Sequence, residues 1–220
     1  MRAMILAAGR GERMGELTRD VPKPLLRVGD RYLIEYSLES LAKVGVQDVV
    51  INVCYRGDQV KAALGNGERY GLNIQYSEEK EALETGGGVY QALPLLGNDP
   101  FIVLSCDVIT AYDLQRLPKD PSFLAHLVLV NNPDFHPKGD FCLLGHRVYL
   151  GVESTLTFAN IGVYRPELFA HCRPGRFRLG ELLKHEIANQ KITGEHYVGP
   201  WYNMGTPKDL LSFTDPMNRT

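Results

Sequence analysis

Cysteine is scarce in this chain of 220 residues: four, at positions 54, 106, 142 and 172, with no C-x-x-C pair among them. That spacing excludes a disulfide framework and a clustered thiolate zinc site. Cys54 and Cys106 lie in or beside apolar runs and read as small buried thiols, as expected in a reducing compartment. Long hydrophobic runs are missing as well. Nothing approaches the roughly 20 apolar residues of a membrane span, and the opening stretch from Met1 to Gly9 is too short for a secretory signal core. The expectation is a cytoplasmic protein with no membrane partner. No excess of one charge exists: 24 Lys and Arg stand against 26 Asp and Glu, a net charge of −2. Without a basic stretch, nucleic acid is not an expected partner. The histidines show no metal or triad spacing; His126, in an apolar run, reads as a core or edge histidine. No Gly-x-Ser-x-Gly elbow is present, and no repeat, low-complexity segment or linker divides the chain.

What is present is an ordinary globular composition, 44% hydrophobic and 23% charged, enough for a substantial core. Ala3 to Ala7 reads as a short first strand. Ile34, Leu38 and Leu41 recur at helical spacing over Leu33 to Val44. The β-branched run from Val46 to Val53 reads as a buried parallel strand, Gly57 to Leu64 as a helix, and Leu72 to Tyr76 as a strand. A helix over Val89 to Leu95 and an apolar strand over Phe101 to Leu104 follow. This alternation predicts an α/β domain with a largely parallel sheet. Beyond it the character changes. Strands are expected over Leu124 to Val130, Phe141 to Leu144, Val148 to Leu150 and Leu156 to Tyr164, with a hairpin turn at Gly145-His146-Arg147. One strong helix, Leu179 to Ala188, and a short one ending near Phe213 complete the chain. Tyr164 and Trp201 read most simply as core aromatics.

The first strand ends in Gly9-Arg10-Gly11-Glu12-Arg13, which lacks the third glycine of a dinucleotide fingerprint and the Gly-Lys-Ser/Thr of a P-loop. A tight strand-to-helix turn would explain two glycines equally well. Arg13 and Lys23, however, add two full positive charges, and glycine lets backbone N–H groups approach phosphate oxygens. Pro22 and Pro24 hold the backbone around Lys23 extended, which lowers the entropy lost when Lys23 engages a phosphate.

Leu6-Ala7-Ala8-Gly9-Arg10-Gly11-Glu12-Arg13-Met14, followed by Pro22-Lys23-Pro24-Leu25, resembles the signature of sugar-1-phosphate nucleotidyltransferases, and the resemblance extends over nearly the whole chain. It implies a Rossmann-like three-layer α/β/α domain of the nucleotide-diphospho-sugar transferase type, with a mostly parallel mixed sheet. Residues 1–220 then form one domain, with a nucleotide-binding half over 1–115 and a sugar-binding half over 116–220. Leu6, Ala7, Ala8, Gly9 and Gly11 would cradle the nucleotide, Arg13 would hold the β- and γ-phosphates, and Lys23 would neutralise charge at the α-phosphate. Thr85, Gly86 and Gly87, in Leu83-Glu84-Thr85-Gly86-Gly87-Gly88, would meet base and ribose, the glycines allowing close backbone approach; a flexible turn is the plainer reading.

Asp107 follows an apolar strand, where an α/β sheet presents ligands, and would hold Mg²⁺, with Mn²⁺ as a substitute; a helix N-cap would also use an aspartate there. Asp140 and Asn160 would contact the sugar, with Glu153 added from its proximity in sequence, although Asp140 also suits a turn before a strand. Three positions depart from the family pattern. Glu16 replaces a proline, a carboxylate that must point away from a triphosphate loop. Cys106 replaces a glycine and could crowd the metal. Asn203, in Trp201-Tyr202-Asn203-Met204-Gly205-Thr206-Pro207, stands where a second metal-binding aspartate is expected.

The resemblance implies joining a nucleoside triphosphate to a sugar 1-phosphate with release of pyrophosphate: UTP as donor, and an N-acetylated acceptor such as N-acetylmuramic acid 1-phosphate. Two alternatives stand beside it. One is a GTP-dependent enzyme of the mannose 1-phosphate type. The other, motivated by Asn203, is a nucleotide-sugar-binding protein with weak catalysis. A monomer or simple homodimer is expected.

Overall fold

The structure is a computed structural model that describes residues 1–153 and 155–213. Its first strand, β1 (Ala3–Leu6), serves two faces: Ala3 and Ile5 enter one apolar core and Met4 the other, the period-two alternation of a sheet covered on both sides. A 3-10 segment over Glu12–Thr18, kinked at Gly15, and a second over Lys23–Leu25 lead into the short hairpin of β2 (Arg27–Val28) and β3 (Arg31–Tyr32). Then come α1 (Leu33–Lys43), β4 (Asp48–Val53), α2 (Gly57–Leu64), β5 (Asn73–Glu78), α3 (Glu84–Leu96) and β6 (Phe101–Ser105). The Tyr32 N–H donates to the Glu35 carboxylate at 2.6 Å and fixes the start of α1. Ile34, Leu38 and Leu41 are fully buried along one face of that helix, and cutting any of them to alanine should cost about 2–5 kcal/mol.

The second half contributes β7 (Val108–Thr110), β8 (Ala125–Val130), β9 (Phe141–Leu144), β10 (Arg147–Tyr149), β11 (Thr155–Tyr164), α4 (Leu179–Ala188), β12 (Ile192–Tyr197), β13 (Trp201–Asn203) and α5 (Pro207–Ser212). Nine strands form one sheet in the order β5-β4-β1-β6-β11-β8-β12-β10-β9. β5, β4, β1 and β6 are mutually parallel. β11 then joins β6 antiparallel, with Ile161 opposite Leu104, and mixed pairing follows. β9 bonds both β10 and β11, so β11, β8, β12, β10 and β9 close on themselves. α1 and α2 contribute to the core on one face of the sheet, α3 and α4 to the core on the other. This is a three-layer α/β/α arrangement.

Several local expectations change. α3 begins at Glu84 rather than Val89, so the three glycines lie in its first turns, buried. Packing overrides their poor helix propensity: the Gly86 and Gly87 N–H groups both donate to the Phe177 carbonyl, at 3.0 and 3.1 Å. Lys23 is not extended but opens a 3-10 turn, with the Leu26 N–H donating to its carbonyl at 3.1 Å. β7, β12 and β13 are additional strands; β12 is polar enough to hide its pattern, and it is ordered by parallel pairing with the apolar β8. Cys54 is half-buried, outside the core that holds Cys106, and all four thiols are free. His126, partly buried in β8, bonds Thr193 Oγ1 through Nδ1 at 3.0 Å.

Candidate active site

The parallel strands end on one edge of the sheet, where open α/β sheets place ligands. Gly11 there has a φ of 68°, a left-handed conformation that glycine adopts freely. A methyl at that position would stand 3.0 Å from Lys23 Cβ, so the glycine turn packs directly on the lysine. Gly9, by contrast, would meet no protein atom within 4 Å. Lys23, 9% exposed, places Nζ on Asp107 Oδ2. Asp107 Oδ1 accepts a hydrogen bond from Ser105 Oγ at 2.5 Å. Asp107 caps no helix; it lies in the turn between β6 and β7. Cys106 turns away into the apolar core, where burial pushes its thiol up to about 12, so the expected crowding does not arise. Glu16 likewise points outward, paired with Arg19 at 2.6 Å on the surface.

β13 pairs antiparallel with β7, setting Asn203 opposite Val108, and the Met204 N–H donates to the Asp107 carbonyl at 2.8 Å. The second metal candidate is thereby held beside the first. Asn203 Oδ1 is buried and has no hydrogen-bond partner among the described residues, which is unusual for a polar atom inside a protein. A carboxylate and an uncommitted amide oxygen are hard donors, and Mg²⁺ is commonly held by one or two protein oxygens with water and phosphate completing its shell. The residues present therefore fit Mg²⁺. Among the described residues no group of three or more His, Cys, Asp or Glu side chains could hold a metal by itself. Arg13 joins this end of the site: a methyl at Gly205 would lie 3.3 Å from its Nη1.

A cleft of about 500 Å³ opens beside these groups, with Leu6, Thr85, Asp140, Asn160, Trp201 and Asn203 in its wall. Asn160 has a φ of 57° and falls in the bulge where β11 shifts register against β8; bulges re-aim side chains in this way. Asp140 fastens the preceding loop to β11, accepting from the Phe158 N–H at 2.9 Å and facing His136 Nε2 at 3.1 Å. Thr85 Oγ1 accepts from the Leu179 N–H at 3.0 Å. A second depression, about 650 Å³ around Arg2, Asp48, Gly97 and Asp99, lies away from these groups and includes none of Gly9, Gly11, Arg13, Lys23 or Asp107.

Two expectations about the wall are corrected. Glu153 is exposed and does not line the cleft; its carbonyl accepts from Cys142 Sγ at 3.0 Å. The glycines of α3 are not bare for lack of protein neighbours. Methyl groups at Gly86 and Gly87 would come within 2.4 Å of the Phe177 ring and 2.2 Å of the Gly175 carbonyl oxygen, so the 175–177 segment covers the faces the sequence left open. Some contributors escaped sequence reading. Glu84, at a φ of 62° and paired with Arg176 at 2.7 Å, lines the cleft with Arg178 and Lys184. Tyr164, stacked on Phe101, is a core aromatic that also reaches the cleft, and its buried hydroxyl has no partner among the described residues. Only its positive φ marks the position of Glu84 as special, and sequence does not display φ.

Comparison with known proteins agrees with this geometry. A family profile described as nucleotidyl transferase matches residues 2–128. An N-acetylmuramate alpha-1-phosphate uridylyltransferase of Neisseria meningitidis serogroup B is 44% identical, over 94% of each chain. A mannose-1-phosphate guanyltransferase of Aspergillus fumigatus is 32% identical, over 97% of this chain but 63% of its own length. At the level of fold alone, the inositol-1-phosphate CTP transferase structure from T. maritima aligns with a TM-score of 0.77 at 20% identity, over 96% of this chain and 91% of that one. With a phosphate-suited glycine turn, a lysine seated on the aspartate of β6–β7 and these relatives, the chain belongs to the nucleotidyl transferase family.

Proposed function

We propose that the protein transfers a uridylyl group from UTP to N-acetylmuramic acid 1-phosphate, forming the UDP-sugar and pyrophosphate. The observation that carries the transfer chemistry is the Lys23–Asp107 ion pair, with Asn203 held next to Asp107 by the pairing of β13 with β7 and lining the cleft. The choice of UTP and N-acetylmuramic acid 1-phosphate rests on the relative 44% identical over nearly the full length of both chains.

In this reading a phosphate oxygen of the sugar 1-phosphate attacks the α-phosphorus of UTP, and pyrophosphate leaves on the opposite side. The acceptor phosphate is ionised near neutral pH, so the chain need not supply a general base. Its work is alignment and charge. Gly9 and Gly11 leave the backbone open to phosphate oxygens, Lys23 balances charge at the α-phosphate, and Arg13 engages the departing phosphates. Asp107 and Asn203 would hold Mg²⁺, which supplies Lewis-acid neutralisation of the phosphates when bound. Asn160 faces the sugar from the β11 bulge.

A pyrophosphate-release assay with UTP, GTP, CTP and ATP against a panel of sugar 1-phosphates, in Mg²⁺ and then Mn²⁺, tests the proposal. Fast release with UTP and N-acetylmuramic acid 1-phosphate supports it. Preference for GTP with mannose 1-phosphate would replace it by the reading that the guanyltransferase relative suggests. Silence across the panel with triphosphate binding retained would reduce the protein to a binder.

A further inference from the structure

Two buried polar side chains that line no part of the cleft connect the two glycine blocks beneath it. Asn52, in β4, is 3% exposed, and Glu79, just after β5, is 6% exposed. The Ala7 N–H donates to Asn52 Oδ1 at 2.8 Å. Asn52 Nδ2 donates to Glu79 Oε1 at 2.6 Å. The Leu83 N–H donates to Glu79 Oε2 at 2.9 Å. Three hydrogen bonds thus run without a break from the residue after β1 to the residue before α3. Gly88 makes room for the pair: a methyl there would stand 2.7 Å from both Asn52 Nδ2 and Glu79 Oε1.

Burying a carboxylate is costly, and apolar residues of the same volume would fill this space more cheaply. What the polar pair adds is direction. Ala7 lies past the end of β1 and Leu83 ahead of the first turn of α3, so the two N–H groups belong to loops, and each is fixed by a side-chain acceptor. We infer that Asn52 and Glu79 are positioning residues that hold the Ala7-Ala8-Gly9 turn and the start of α3 at one separation, so that the two ends of a single nucleotide are met together. This rests on the nucleotidyl-transfer reading above.

The network can be broken and remade without changing its size. Glu79→Gln sets an amide donor against one of two N–H donors. Asn52→Asp sets a carboxylate against a carboxylate. Combined, Asn52→Asp with Glu79→Gln restores all three bonds with the middle donor reversed: Ala7 N–H to Asp, Gln Nε2 to Asp, Leu83 N–H to Gln Oε1. UTP affinity by calorimetry, with GTP, CTP and ATP in parallel, should fall roughly tenfold in each single variant, the size of one misplaced hydrogen bond. It should return to within about threefold of wild type in the double variant, with the KM for the sugar phosphate unmoved throughout. Unchanged UTP affinity in both single variants, or no recovery in the double variant, overturns the inference. Amide hydrogen exchange at Ala7 and Leu83 in the free protein reads the network independently of any nucleotide. Protection lost in the single variants and regained in the double one supports the positioning role, and protection unchanged in all three overturns it. Wild-type protein that binds none of the triphosphates counts instead against the transfer reading.

Discussion

Lys23 and Asp107, 84 positions apart, form an ion pair just past the end of β6. The lysine takes one carboxylate oxygen and Ser105 Oγ the other. In the free protein Asp107 therefore already has a cation, and a metal ion must compete with it.

Replacing Lys23 with methionine should separate these two duties. Turnover is expected to fall by at least about a hundredfold, the usual effect of removing one charge-stabilising group. Mn²⁺ binding in the absence of nucleotide should tighten, because Asp107 is released. Steady-state kinetics and Mn²⁺ titration by electron paramagnetic resonance check the two halves. Mn²⁺ affinity that stays level or weakens would refute the competition.

Asn203→Asp adds the second carboxylate of the family pattern at a half-buried position whose Oδ1 atom is enclosed. Without metal the variant should melt at lower temperature than wild type, since an unpaired buried carboxylate is introduced near Asp107. Saturating Mg²⁺ should recover most of that loss through linkage, and half-saturation should need less Mg²⁺. Thermal melts with and without Mg²⁺ decide; a variant insensitive to the ion would remove Asn203 from the metal site.

The glycines divide into two kinds. Gly86→Ala would drive a methyl into the Phe177 ring, and overpacking of this sort costs about 1–3 kcal/mol, more than the roughly 1 kcal/mol that alanine returns in helix propensity. Gly9→Ala meets no protein atom and should leave stability within about 0.5 kcal/mol, while weakening UTP binding. Urea melts and nucleotide titrations on both variants give the comparison, and equal destabilisation of the two would contradict it.

His126 is held below its ordinary value of 6.5, chiefly by burial. Its folded form prefers neutrality, so the unfolded chain binds more protons once the pH falls through the unfolded value. Stability should therefore decline as the pH falls through about 6.5 and below, and His126→Gln should flatten that decline. Chemical denaturation across this range measures both; an unchanged slope in the variant would assign the decline to other groups.

Much of this architecture is legible in the residues, for reasons that differ by element. α2, β9 and α4 occupy the spans that the residues predict, α4 because Leu179, Leu183 and Ile187 recur along one buried face. β12 and β13 do not announce themselves, since distant partners supply the order: β8 for one, β7 for the other. In the site, Lys23 and Asp107 stand out from chain chemistry alone, whereas Asn52 and Glu79 matter only through side chains that fold onto each other and onto one backbone N–H apiece. Glu153 illustrates the opposite error, a residue near the right strand in sequence that the chain turns outward.

The seam between β6 and β11 has a consequence for how such a protein could diversify. One side of it carries Ser105 and Asp107, the other Asn160, and the strands lie in fixed register with Leu104 opposite Ile161. The loop over 131–140, which brings Phe135, His136 and Asp140 to the cleft, hangs from the self-closing ring of strands beyond the seam and does not carry the lysine, its aspartate or the glycine turn. Under the proposed transfer reading, exchanging that loop would recast acceptor preference while the phosphate chemistry stays untouched, so the two halves of the substrate could be selected by separate mutations.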